Sequence, residues 1–204
     1  IIGRLVGSEM CIRDSYYSGS DVYLINHMRA GESIFIDEDC YECLKQAMQV
    51  YEQTSGLFDC SLGRQIEHHK NGIDDNTPAL MGQLKIDPKR PAVHCVEPGR
   101  EIDLGGIGKG YALDCLKDIC LDWGIENGLL SAGTSTHLAF GTIKWPIRLN
   151  SGKYSRVVKL HDCALSTSGT DVNGSHIISP DLDRPKVQHK RIWLSTKRAS
   201  SADA

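Results

Sequence analysis

The chain has 204 residues, enough for one good core or two small lobes, and its 40% hydrophobic and 24% charged residues are ordinary globular values. A net charge of −3 without any basic run gives nucleic-acid or membrane-surface binding no support, and no apolar stretch approaches the ~18–20 residues of a membrane span. Eight cysteines invite a disulfide framework, yet Cys40, Cys43, Cys115 and Cys120 fall on apolar faces of predicted helices and read as reduced, buried thiols. Cys40 and Cys43 form a CxxC, but no second CxxC or zinc-type histidine spacing accompanies it.

Residues 1–14 do not read as structure; they resemble translated adapter read-through and are expected to be non-native, the alternative being a first strand through Ile1, Ile2, Leu5 and Val6. Tyr16, taken by itself, reads as a tyrosine packed on a loop. A short strand over residues 34–36 precedes a helix opened by Asp39, with Glu42 at the capping-box position. Cys40, Cys43, Leu44, Ala47, Met48 and Tyr51 are its expected buried stripe, and Gly56 its stop. In the loop Leu57-Phe-Asp-Cys-Ser-Leu-Gly63, Asp59 either accepts hydrogen bonds from a ligand or caps a turn. Residues 64–98 are polar and punctuated by proline, which predicts an insertion with a weak helix over 78–85 and a solvated His68–His69 pair.

The stretch Glu101-Ile-Asp-Leu-Gly-Gly-Ile-Gly-Lys-Gly-Tyr-Ala-Leu-Asp114 carries four glycines within six residues and a lysine among them. Ala112, Cys115, Leu116, Ile119, Cys120 and Trp123 follow at helical spacing, and Gly124 is placed to end the helix. Strand, glycine turn and helix start together make a phosphate site, because exposed N–H groups and the positive helix end both favour an anion. A plain structural turn is the alternative. The dinucleotide fingerprint fails because Tyr111 stands at its third glycine, and the Walker A pattern fails because Lys109 is followed by Gly110. Short strands are predicted over 128–132, 136–140, 145–149, 156–160, 163–167 and 190–196, with a turn at Gly133, suggesting an antiparallel meander with helices on one face.

Residues 103–114 resemble the signature of the ApbE-like FAD:protein FMN transferases, and Ser131-Ala-Gly-Thr-Ser-Thr-His-Leu-Ala-Phe-Gly141 resembles that family's next glycine-containing strand pair, with Thr134 in place of a glycine. Weaker matches occur in the same order at 15–26, 57–63, 166–170 and 175–180, so the resemblance covers 15–204 as one domain. It implies an α+β fold of the T-fold type, with two repeats of antiparallel sheet and helices on one face.

The same resemblance implies a reaction in which a Ser or Thr hydroxyl of an acceptor protein attacks the flavin-side phosphorus of FAD and AMP leaves, with Mg2+ as cofactor. Tyr16, Leu57, Phe58, Asp59, Asp103 and Ile177 would contact FAD, Lys109 would pair with its phosphates, and His176 would take the acceptor proton. The Gly106 carbonyl and the Asp203 carboxylate would hold Mg2+, a hard-oxygen set that suits this ion better than zinc. The family's hydroxyl ligand four residues beyond Asp203, and its terminal helix, fall outside the sequence, which reads as cut short at both ends. An FAD pyrophosphatase and a non-catalytic FAD-binding protein share the same expected residues. Family members occur as exported lipoproteins and as cytoplasmic forms, so the resemblance leaves the compartment open.

Overall fold

The computed structural model describes residues 18–71, 77–169 and 190–204, and divides them into two compact units that meet in the sequence between Gly105 and Gly106. Tyr16, His176 and Ile177 lie outside the described residues.

The first unit runs in the order α1 (Asp21–Asn26), β1 (Ser33–Phe35), α2 (Glu38–Gln53), α3 (Gly63–Lys70), β2 (Gln83–Ile86) and β3 (Ala92–Glu97). Its three strands form an antiparallel sheet in the order β1-β3-β2. The N-cap of helix α2 lies two residues earlier than the sequence suggests: Asp37 is the N-cap and accepts from the Asp39 N–H, while Glu42 instead pairs with Lys45 at 2.7 Å. The buried stripe is Cys40, Tyr41, Cys43, Leu44, Ala47 and Val50. Met48 and Tyr51, expected inside, are 47% and 46% exposed. Val50 completes the 40–43–47–50 face, and Met48 and Tyr51 lie at its outer margin. Beyond the helix, Gly56 adopts φ +81° and donates its N–H to the Tyr51 carbonyl, which is the expected stop.

Residues 64–98 depart from expectation. Helix α3 and strands β2 and β3 occupy the segment read as an insertion, and 83–86 is strand rather than weak helix. The polar pattern that suggested a loop is the alternation of half-exposed strands, in which Val93 and Cys95 point into the core and their neighbours do not.

The second unit contains α4 (Gly108–Asp122), β4 (Gly128–Ala132), β5 (Thr136–Phe140), β6 (Trp145–Ser151), β7 (Tyr154–Leu160), β8 (Cys163–Gly169), β9 (Arg191–Thr196) and α5 (Ala199–Asp203). Strands β4-β5-β8-β9 form one antiparallel sheet and β6-β7 a separate hairpin, so the expected meander is interrupted after β5. Gly133, at φ +61°, makes the β4–β5 turn. Side-chain alternation gives the sheet two apolar faces. Leu138 and Ala164 pack with Leu113 of α4 and with Ala199 and Ala202 of α5. Ala139 and Leu165 pack with Trp145, Ile147, Val158 and Leu160 of the hairpin. Helices therefore cover one face of this sheet, and the fold is α+β with antiparallel sheets, as the sequence suggests.

Helix α4 is buried through Gly110, Tyr111 and Leu113 rather than along its whole length. Ile119 is exposed, and Trp123, expected on the apolar face, is 82% exposed. The short helix α5, over Ala199–Asp203, lies where the sequence reading assigned no element. Cys40 and Cys43 are buried as expected, whereas Cys115 and Cys120 are only partly buried.

Candidate functional site

The glycine turn is built from both sides of the unit boundary in the sequence. In the first unit, the Asn26 side chain bonds both the N–H and the carbonyl of Ile102, at 2.7 and 2.9 Å, and Asp103 donates its N–H to the Cys60 carbonyl at 2.8 Å. The entry to the turn is thereby fixed to α1 and to the 57–63 loop. The Asp103 carboxylate accepts the Gly105 N–H on Oδ1 at 2.6 Å and pairs with Lys70 on Oδ2 at 3.3 Å. A Cβ at Gly105 would meet Asp103 Oδ1 at 2.8 Å, so a side chain there would push this carboxylate aside.

The 57–63 loop places Asp59 as a turn cap, accepting the Ser61 N–H on Oδ1 at 2.8 Å. Leu57 is exposed and Phe58 partly buried. Between them and Asp103, burial pushes the Cys60 thiol up to about 12, with the Asp59 carboxylate adding to the effect. Cys60 retains some exposed surface as a residue, but its thiol is enclosed.

In the second unit, α4 starts at Gly108 without any side-chain cap from its own N-terminal flank. Asp203 supplies it: Oδ2 accepts the Gly110 N–H at 3.0 Å across 93 residues of sequence. Asp203 Oδ1 accepts from Thr136 Oγ1 at 2.8 Å and from Ser166 Oγ at 3.4 Å, and pairs with Lys109 Nζ at 3.2 Å. The carboxylate is 4% exposed, against 39% for the lysine side chain. A buried carboxylate is stable only when charged and hydrogen-bonded partners surround it, and a helix N-terminus adds to them.

The reverse contact holds α5. Asp114, on α4, accepts the Ala199 N–H on Oδ1 at 2.8 Å, and the Ser200 N–H and hydroxyl on Oδ2 at 3.0 and 2.7 Å. Arg198 Nε lies 3.6 Å from the same carboxylate. A Cβ at Gly110 would overlap the Ala199 carbonyl, so glycine lets α4 and α5 touch at the backbone.

The structure therefore brings Lys109 and Asp203 together, with Gly106 four residues before the Gly110 amide that Asp203 caps. Sequence reading missed Thr136, Ser166, Asp114 and Lys70. The Gly110 and Asp114 spacing of one helical turn was visible, but its purpose depends on α5. Thr136 and Ser166 face each other across the β5–β8 register, a pairing no local pattern announces. Among the described residues there is no group of three or more His, Cys, Asp or Glu that could hold a metal. The Asp203 carboxylate and the Thr136 and Ser166 hydroxyls beside it are nevertheless hard oxygen donors, of the kind that suits Mg2+ better than zinc.

A helix that begins on a glycine turn and offers a lysine beside a buried, hydroxyl-lined carboxylate has the chemistry of a charged-ligand site within an antiparallel α+β domain. The chain belongs to the ApbE family, whose model matches residues 12–204. It is 27% identical over 183 residues to an FAD:protein FMN transferase of Chlamydia pneumoniae, covering 78% of this chain and 56% of that protein. It is likewise 27% identical to the enzyme of that name from Rhodobacter capsulatus, over 78% of this chain and 35% of that protein. The chain thus spans about half or less of these relatives' length. Among solved structures, the flavin transferase ApbE of Vibrio cholerae matches 96% of this chain and 72% of its own, with a TM-score of 0.81 at 22% identity. The ApbE protein of Thermotoga maritima matches the same shares at 0.78 and 25%. No helix among the described residues is long and apolar enough to cross a membrane.

Proposed function

We propose that this chain is the core of an enzyme that cleaves FAD and transfers FMN to a Ser or Thr hydroxyl of an acceptor protein, releasing AMP. Membership of the ApbE family and the names of the relatives support the activity. The observation that carries it at the level of residues is the Lys109–Asp203 pair at the N-terminus of α4.

Phosphoryl transfer asks for positive charge on the phosphate oxygens and a positioned nucleophile. Lys109 supplies one such charge, on a flexible stem and at a helix start that itself favours anions. Mg2+, when bound, would neutralise further charge on the phosphates, held by the Asp203 carboxylate and the Gly106 carbonyl. Thr136 and Ser166 orient that carboxylate and the Gly110 amide fixes its second oxygen. Asp103 and Asp59 shape the glycine turn and its neighbouring loop, and hydrogen-bond the cofactor with whatever acceptor capacity the turns leave. Leu57, Phe58, Tyr16 and Ile177 contact the flavin, and His176 accepts the acceptor proton, as the resemblance implies.

The test is incubation with FAD, Mg2+ and a Ser/Thr acceptor protein. Release of AMP together with an FMN-sized mass gain on the acceptor is the expected result. Free FMN with an unmodified acceptor would make the protein a pyrophosphatase, and intact FAD a binding protein.

A further inference from the structure

The proposed roles of Lys109 and Asp203 require different partners: phosphate for the lysine, Mg2+ for the carboxylate. In this structure each is the other's partner, at 3.2 Å. Both roles cannot be filled while the pair stands. We infer that Lys109 is the resident counterion of Asp203 and that Mg2+ takes its place, so that metal binding releases the lysine to the phosphates of FAD. This inference rests on the proposed function and adds an order of coupling to it.

The donors around Asp203 differ in what they can do. Thr136 is fully buried and fixed on β5, and the Gly110 amide is part of the α4 backbone. Ser166 is buried on β8. None of these carries a charge, so none can serve as the counterion of Asp203. Lys109 alone of these donors is charged, half in solvent, and mounted on a flexible four-carbon stem. A carboxylate 4% exposed needs a cation, because an uncompensated buried charge is expensive. Two cations on one buried oxygen repel each other strongly at these distances. Exchange satisfies both conditions: one cation, Lys109 or Mg2+, is present at Asp203 in either state.

Thermodynamic linkage then fixes the sign of the coupling. If Mg2+ frees Lys109 for phosphate, phosphate also draws Lys109 from Asp203 and tightens Mg2+ by the same factor, on the order of 10-fold. Mg2+ alone binds weakly because it must displace an ion pair.

Calorimetric titration with Mg2+ alone tests this, using the wild-type chain, Lys109→Met, Lys109→Arg, Lys117→Met and Asp203→Asn. Lys117 lies two turns further along α4, ~12 Å from Lys109 by helix rise, and its removal changes the net charge equally. The expected result is several-fold tighter Mg2+ binding in Lys109→Met, near wild-type binding in Lys109→Arg and Lys117→Met, and loss in Asp203→Asn. Flavin fluorescence should show FAD affinity rising with Mg2+ more steeply in the wild type than in Lys109→Met, which keeps only the metal's direct effect on the phosphates. If Asp203→Asn abolishes binding but Lys109→Met binds Mg2+ no tighter than Lys117→Met, the exchange is refuted while the proposed function stands. If Asp203→Asn leaves Mg2+ binding unchanged, Asp203 is not a metal ligand, and the reading beneath the inference fails with it.

Discussion

Asp114 and Asp203 each close the N-terminus of the helix that carries the other. Asp114, on α4, accepts the first two amides of α5, and Asp203, on α5, accepts the Gly110 amide near the start of α4. Neither helix start has a side-chain cap from its own flank. The position of the candidate metal and phosphate groups thus depends on two carboxylates that hold each other's helices.

Replacing Asp114 with Ala removes three acceptor contacts at partly or fully buried donors. A loss of ~2 kcal/mol is expected from the missing cap and the unsatisfied amides. Thermal unfolding reads the loss, and hydrogen exchange should localise it to amides 199–203. Asp114→Asn, which keeps one acceptor oxygen, should lie between the two.

Gly110→Ala places a methyl on the Ala199 carbonyl. Alanine gains roughly 1 kcal/mol of helix propensity, but forced separation of packed backbones costs ~1–3 kcal/mol and wins. The variant should melt lower than wild type, whereas Gly108→Ala, which meets nothing within 4 Å, should not. Equal melting temperatures for the two would contradict the close α4–α5 approach.

Thr136→Val leaves the shape of a buried side chain and removes its hydroxyl from Asp203 Oδ1. A loss of ~1–3 kcal/mol is expected, with Thr136→Ser restoring most of it. Denaturant unfolding distinguishes them, and loss of Mg2+ affinity should follow the same order.

The Cys60 thiol should resist alkylation by iodoacetamide at pH 8.5, where an ordinary thiol reacts readily. Its folded value, raised to about 12 from 9.0, has a clear consequence for stability. Above pH 9 the unfolded chain releases the proton and the folded chain keeps it, so this contribution is complete below pH 9 and is lost as pH rises towards 12. The slope is at most about 1.4 kcal/mol per pH unit. Cys60→Ala should show a shallower decline between pH 9 and 10.5.

Much of the second unit was legible because its signals are local. The Gly133 turn, the strands at 128–132 and 136–140, and the helix after the glycine turn follow from turn chemistry and periodicity. The first unit's β2 and β3 were not legible, since half-exposed strands rich in Lys, Gln and His resemble a polar loop. Trp123 misled for a related reason: helical spacing continues to the end of α4, whereas its fully buried residues are Gly110, Tyr111 and Leu113, and nothing local marks that limit. At the site, Lys109, Asp103 and Asp203 could be named from the glycine signature and the family resemblance. Their actual partners could not, because Lys70, Thr136 and Ser166 reach them through tertiary contacts spanning 33, 67 and 37 residues of sequence.

The central claim is that the Asp203 carboxylate, held by Gly110, Thr136 and Lys109, is the centre at which this chain handles the metal and phosphates of FAD. The most direct measurement is FAD binding followed by flavin fluorescence across a Mg2+ titration, in wild type and Asp203→Asn. The account predicts Mg2+-dependent tightening in the wild type and none in the variant; tightening of equal size in both would contradict it.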